Sequence, residues 1–291
     1  MATTTRASGA ANERSTRNRR PKSLILDVFG RYSAQFQGWI AVSDLIPLME
    51  LLGVDEQATR SAVSRMTRRG LMKPEVRNKV RGYRTTPEAD ALLADGDRRI
   101  YASVEPASPD DGWVLVSFSL PERDRDKRHV LRSKLMWHGM GNLGSGLWIG
   151  PARILPEVVD TLDEGGFAEF TDVFRATYEG LGDPRDLVAR SWDLDDLASS
   201  YQQFIDEYEP IRASLARRRS AVPGVEAFAL YTRALHEWRK FPYLDPGLPE
   251  SLIGVDWPGR GAADLFAGLR SRLEPSAFDY VESIVRRRSA D

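Results

Sequence analysis

Apolar positions recur along this chain with helical and extended periods, and they mark out its elements. Leu24, Ile25, Val28, Phe29 and Tyr32 share one side of a helix predicted over about Ser23–Gln35. Gly38 marks the turn after it. A second helix is expected from a Ser43 cap, with Pro47 near its first turn, to Gly53. The third spans Asp55–Arg69. Its apolar stripe is Ala58, Ala62, Val63 and Met66, Asp55 caps the first turn, and Gly70 stops it as the C′ residue. Two extended runs follow, Leu71–Val76 and Val80–Thr85, around the turn Arg77-Asn78-Lys79. Thr86-Pro87-Glu88 opens a connecting helix to about Tyr101, with proline at its first position.

Beyond a linker at Glu105–Gly112, Trp113–Leu120 (WVLVSFSL) reads as a buried strand. A helix over about Arg125–His138 follows, with Val130, Leu131 and Leu135 inward. Short strands around Gly139–Leu143 and Gly146–Ile149, a helix over about Pro156–Glu164 and a last strand over about Phe167–Thr177 complete the order βαββαβ, which is ferredoxin-like. From Asp183 the pattern is helical. One helix carries Leu194, Leu197, Tyr201, Phe204, Ile205 and Tyr208, and another covers Val225–Phe241. An irregular proline-rich crossing (FPYLDPGLPESLIGVDWPG) leads to two final helices, Ala262–Leu273 and Ser276–Arg288. The expected fold class is α+β and multidomain. It comprises a disordered basic tail (1–22), a winged helix-turn-helix with its connecting helix (23–104), a ferredoxin-like domain (112–182) and an all-helical domain (183–291).

Composition narrows the function classes. The 291 residues are 42% hydrophobic and contain no cysteine, which excludes a disulfide framework and thiolate metal sites and suits a cytoplasmic protein. No apolar run is long enough to cross a membrane, and the first 22 residues lack an apolar signal core. The net charge of −1 conceals an asymmetry: residues 1–101 hold 18 Lys+Arg against 11 Asp+Glu, and the remainder holds 23 against 31. A basic N-terminal third points to a polyanionic partner.

The third helix has the chemistry to meet it. Arg60, Ser61, Ser64, Arg65 and Arg68 lie off its apolar stripe. Arginine can bond guanine edges with two parallel hydrogen bonds, and serine and arginine can hold phosphates. A basic solvated helix is the alternative when these residues are taken alone. Three helices followed by a hairpin carrying Arg77, Lys79 and Arg81, with Arg84 nearby, make the DNA-binding reading more specific. For a small-molecule effector, Arg233, His236, Arg239 and Lys240 lie within two turns of one helix, and Trp257 and Arg260 lie beyond the crossing. The alternative there is an irregular core of Trp238, Trp257 and prolines, with His236 hydrogen-bonded inside it. No metal site, cofactor or nucleophile arrangement emerges. His236-Glu237 meets Lys240 where a zinc-protease motif needs histidine, and His129 and His138 lack a third ligand.

Three stretches resemble the PaaX family of bacterial transcriptional regulators. They are Thr59-Arg60-Ser61-Ala62-Val63-Ser64-Arg65-Met66, Gly146-Leu147-Trp148-Ile149-Gly150-Pro151, and His236-Glu237-Trp238-Arg239-Lys240-Phe241-Pro242 with Leu244-Asp245-Pro246-Gly247-Leu248-Pro249 and Trp257-Pro258-Gly259. The resemblance covers about residues 22–288. It implies a homodimeric DNA-binding repressor of a catabolic operon, released by an aryl- or acyl-CoA thioester such as phenylacetyl-CoA. It also implies a central domain like the small CRISPR adaptation nuclease. In that nuclease a carboxylate ends the first strand. Here the strand end reads Ser117-Phe118-Ser119-Leu120-Pro121, and Asp124 beyond it reads as a helix cap, so the domain is expected to be a catalytically silent dimerisation module and the protein not an enzyme. A metal-dependent nuclease, and an effector-independent DNA-binding protein that docks a protein partner, are the competing readings.

Overall fold

The computed structural model describes residues 21–101 and 107–287; the expected tail up to Arg20, and Glu105 and Pro106 of the expected linker, lie outside them. The chain forms two compact units. One comprises Met1–Tyr101, Tyr208–Trp238 and Leu265–Asp291, and the other Ala102–Glu207 and Arg239–Asp264. The helical segment after Asp183 therefore contributes to both.

In the first unit, α1 (21–32) buries Leu24, Ile25, Val28, Phe29 and Tyr32, the expected face. It is already helical at Pro21 and Lys22, which the sequence assigns to the tail; proline is well tolerated in a first helical turn. A 3₁₀ turn at Ser33–Phe36 ends in Gln37 and Gly38, both at positive φ. Next comes a strand absent from the sequence-based expectation, β1 (Trp39–Ala41). Because the chain is extended through Ala41, α2 (Val42–Leu51) begins directly after it with Ala41 at the cap. Ser43 is therefore not the cap; its hydroxyl donates to the adjacent Asp44 at 3.3 Å.

Helix α3 (Glu56–Arg68) starts as expected, with the Asp55 carboxylate accepting from the Ala58 amide at 2.7 Å. It ends at Gly70 (φ +70°). There the Leu71 amide bonds the Met66 carbonyl and the Gly70 amide bonds that of Thr67, a Schellman arrangement. β2 (Met72–Arg77) and β3 (Val80–Thr85) pair antiparallel, with Arg77 opposite Val80. The turn is thus the two residues Asn78-Lys79, one shorter than expected. Their φ values of 48° and 65° match the backbone twist that a two-residue hairpin requires. The sheet order is β1-β3-β2, so Pro74 sits on an edge strand. Thr86 opens α4 (Pro87–Tyr101), its hydroxyl accepting from the Ala89 amide.

The second unit has the βαββαβ order: β4 (Trp113–Phe118), α5 (Arg125–Trp137), β5 (Gly141–Gly144), β6 (Leu147–Pro151), α6 (Leu155–Glu164) and β7 (Thr171–Ala176). Strand order is β5-β6-β4-β7, and every pairing is antiparallel. The expected strand from Phe167 starts later because Ala168–Phe170 forms a 3₁₀ turn. Nor is β4 buried throughout: Val114 and Val116 face Leu131, Leu135, Val158 and Leu162 of the two helices, and the alternate residues stay partly open. Gly146, at φ +79°, lies so near the Phe118 carbonyl that a Cβ would sit 2.5 Å from its oxygen, so the hairpin there needs glycine.

Helices α7 (Pro184–Ser191), α8 (Leu194–Arg217), α9 (Gly224–Trp238), α10 (Phe241–Leu244), α11 (Glu250–Ile253) and α12 (Gly259–Arg287) follow. The proline-rich crossing thus holds two single-turn helices. Within it, Asp245 accepts from the Tyr201 hydroxyl at 2.8 Å and the Gly247 amide at 2.7 Å. Pro275 does not divide α12, although two helices are expected from the sequence. Burial of Leu269, Leu273, Ala277 and Val281 on both sides of it outweighs one missing backbone hydrogen bond.

Candidate nucleic-acid interface

Helix α3 buries Thr59, Ala62, Val63 and Met66, an i, i+3, i+4, i+7 stripe. Ala58, expected inward, is only partly buried, and Thr59 takes its place. The Thr59 hydroxyl oxygen is buried without a hydrogen-bond partner. Thr59→Val should therefore preserve the shape, remove this deficit of about 1–2 kcal/mol and raise Tm by a few degrees in calorimetry. A lower Tm would show that the hydroxyl is satisfied.

The other face carries Arg60, Ser61, Ser64 and Arg68 in the open, with Arg65 half buried beside them. Arg60 donates to Glu56 at 2.7 Å in a pair more than half exposed, which is weak and easily exchanged. No carboxylate pairs with Arg65 or Arg68 among the described residues. Four of the five groove candidates thus share one solvent-facing surface, and Arg65 borders it. On the hairpin, Lys79 and Arg81 are exposed, whereas Arg77 turns inward. Arg77 donates to Glu75 at 2.6 Å and to the Phe36 carbonyl at 3.2 Å, and lies 5.3 Å over the Trp39 ring. Its hydrogen bond holds the Glu75 carboxyl below the ordinary range.

The effector candidates fall in both units. His236 Nδ1 lies 2.6 Å from the Asp27 carboxylate of α1, both largely buried, and Arg233 donates to the Leu51 carbonyl at 2.9 Å. His236 is thus hydrogen-bonded inside the first unit. Arg239, Lys240, Trp257 and Arg260 belong to the second unit. There Trp257 meets Tyr201 edge-on at 5.9 Å, Lys240 lies over the Phe241 ring and Arg260 is 4.0 Å from Glu250. A cavity of about 240 Å³ lies beside the turn end of the β2–β3 hairpin, against Phe36, Trp39, Asp44, Arg77 and Val285, and none of the six candidates lines it.

Sequence reasoning missed a polar cluster in the first unit. Arg31 of α1 donates to Glu274 of α12 at 2.5 Å, as does the Tyr231 hydroxyl of α9; the Tyr101 hydroxyl of α4 is 3.2 Å from that of Tyr231. The Arg270 guanidinium lies 4.2 Å over the Tyr101 ring. Burial pushes the Tyr101 phenol up to about 12 and raises Asp97 nearby. Tyr32 and Thr232 share a further hydrogen bond at 3.0 Å.

In the second unit, Asp124 occupies the cap position of α5 but makes no capping bond. Its carboxylate instead pairs with Lys127 at 3.6 Å and Arg123 at 3.7 Å. His138 Nε2 is 2.8 Å from the Thr161 hydroxyl. Among the described residues no three His, Asp or Glu side chains converge as a metal set, and no helix is long and apolar enough to cross a membrane.

Family comparisons cover the same segments. Residues 20–89 match the model described as PaaX-like protein, residues 106–188 the PaaX protein central Cas2-like domain, and residues 192–283 the PaaX-like protein C-terminal domain. The chain belongs to the PaaX family. It is 26% identical over 262 residues to the transcriptional repressor PaaX of Escherichia coli strain K12, across 89% of this chain and 82% of the relative. Among solved structures, the uncharacterized protein Rv0674 from Mycobacterium tuberculosis is 23% identical. It covers 92% of this chain and 97% of its own with a TM-score of 0.50, a likeness of fold. The α3 surface and the hairpin fall within the N-terminal PaaX segment, and the βαββαβ sheet is the central Cas2-like one.

Proposed function

We propose that this PaaX-family chain is a sequence-specific DNA-binding transcriptional regulator, a repressor, with α1–α3 and the β2–β3 hairpin acting as a winged helix-turn-helix. The observation that carries it is the division of α3: an apolar stripe turned inward, and arginines with serines turned outward at spacings that suit a major groove. The relative's name supports it. Two copies would place their α3 helices in successive major grooves of a near-palindromic operator, with Lys79 and Arg81 on the flanking backbone and the central domain joining the dimer. In this reading the protein is non-catalytic and cytoplasmic. The helical segment takes an acyl-CoA-type effector such as phenylacetyl-CoA, with Arg239, Lys240 and Arg260 as the candidates for its phosphates and Trp257 for a flat group.

Selection of duplexes from a random-sequence pool tests the reading. Enrichment of one motif supports it, and no enrichment at any salt concentration overturns it. Phenylacetyl-CoA should then lower affinity for the selected duplex, and the duplex should lower affinity for phenylacetyl-CoA by the same factor. If no acyl-CoA in a thermal-shift panel stabilises the protein, the effector assignment fails and a partner-docking regulator takes its place.

A further inference from the structure

Arg77 and Trp39 tie the hairpin to β1 and the turn before it from opposite directions. On β1, Trp39 stands opposite Arg84 of β3, yet its indole Nε1 reaches past β3 and donates to the Glu75 carbonyl of β2 at 3.2 Å. It can cross only where β3 has no side chain. That position is Gly82, where a Cβ would fall 2.4 Å from the indole and 2.7 Å from the Ile40 carbonyl oxygen. Arg77 closes the strap the other way. From the last residue of β2 it donates back to the Phe36 carbonyl in the turn before β1, while its Nε–H is held by Glu75 and its plane lies over the Trp39 ring.

These two side chains, one hydrogen-bonded in each direction, bind all three strands and the preceding turn. A two-stranded ribbon alone is marginally stable and free to swing. Here β2 is fastened at Glu75 and Arg77, close to the turn, and the tip Asn78-Lys79 projects just beyond them.

From this geometry we infer that Arg77 and Trp39 are positioning residues that set the aim of the hairpin, and that the backbone contact is left to Lys79 and Arg81. The inference rests on the DNA-binding reading. It reassigns Arg77, whose charge alone suggests a phosphate contact. The guanidinium is engaged at Nε, at Nη1 and on its face, which a lysine ammonium cannot reproduce.

Four variants of the full chain test it: Arg77→Lys, Arg77→Ala, Glu75→Gln and Lys79→Ala. Without DNA, amide exchange across residues 76–81 should speed up about tenfold in Arg77→Lys and stay unchanged in Lys79→Ala. On the duplex that the wild type selects, Arg77→Lys and Arg77→Ala should both lose about tenfold in affinity with an unaltered salt slope. Lys79→Ala should flatten that slope by about 0.9. Glu75→Gln is the sharpest case. If Arg77 touched phosphate, removing a nearby negative charge would tighten binding; if Arg77 positions, replacing its charged acceptor by a neutral amide oxygen loosens the strap and weakens binding. Full affinity in Arg77→Lys, a flattened slope in Arg77→Ala, or tighter binding by Glu75→Gln overturns the inference. If the wild type selects no duplex, the regulator reading fails on its own account. The exchange measurement then still decides whether Arg77 fastens the hairpin.

Discussion

Glu274→Ala should lower stability by about 2–3 kcal/mol at neutral pH, seen as a Tm roughly 5–10 °C lower in calorimetry of the full chain. Glu274 accepts from Arg31 and Tyr231 at 2.5 Å each and pairs with Arg270 at 3.2 Å, so one carboxylate satisfies donors from three helices. Its removal leaves the Arg31 charge among Tyr101 and Phe278 without its anion. Side chains of both partners are 19% exposed, which places the loss at the lower end for a buried pair. Burial by itself would raise the Glu274 carboxyl pKa, but hydrogen bonds from Tyr231 and Arg31 outweigh it and hold the group below the ordinary 4.5. Its folded pKa is thus below the unfolded one. The contribution is complete above about pH 5 and disappears as pH falls through the folded value. Wild type and variant should converge on acidification; a gap that persists unchanged to low pH would contradict this account.

Arg65→Ala should weaken binding to the selected duplex by about 5- to 150-fold, equivalent to about 1–3 kcal/mol, and should relax specificity at one base position. Arg65 is half buried at the edge of the α3 surface and has no carboxylate partner among the described residues, so its guanidinium is held near the surface without being neutralised. Arg60→Ala should have a smaller effect, because the Glu56 pair must be exchanged before Arg60 can act. Affinity and base preference measured by competition on single-substituted duplexes distinguish the two. Unchanged preference at every position in Arg65→Ala would remove Arg65 from base reading.

The parts of this surface that are legible in the sequence are the local ones. Asp55, the stripe through Ala62, Val63 and Met66, and Gly70 define α3 within a few turns, because capping, helical period and a left-handed stop all act over three or four residues. The hairpin turn, expected one residue longer at Arg77-Asn78-Lys79, and the Thr86-Pro87 helix start are of the same kind. The βαββαβ order was also readable, since each of its elements buries one face and announces its period. Which of the neighbours Ala58 and Thr59 turns inward is not fixed by the period, because both border the stripe through Ala62, Val63 and Met66.

What took tertiary structure was every feature that depends on a partner far along the chain. β1 is three residues long and is extended because β3 offers it a ladder. Pro275 stays helical because both sides of it are buried. Arg77 looked like a free cation until the Phe36 carbonyl and the Trp39 ring, some forty residues earlier, came beside it. Arg31 and Glu274 are 243 residues apart, and His236 and Asp27 are 209 apart. No period or spacing encodes such pairs, because the free energy that selects them is released only when several helices have buried their apolar faces together. Local propensity chose the helices, the turns and the charged face of α3; long-range packing chose which helices share a core, and which of the cations along the chain remain free to meet a partner.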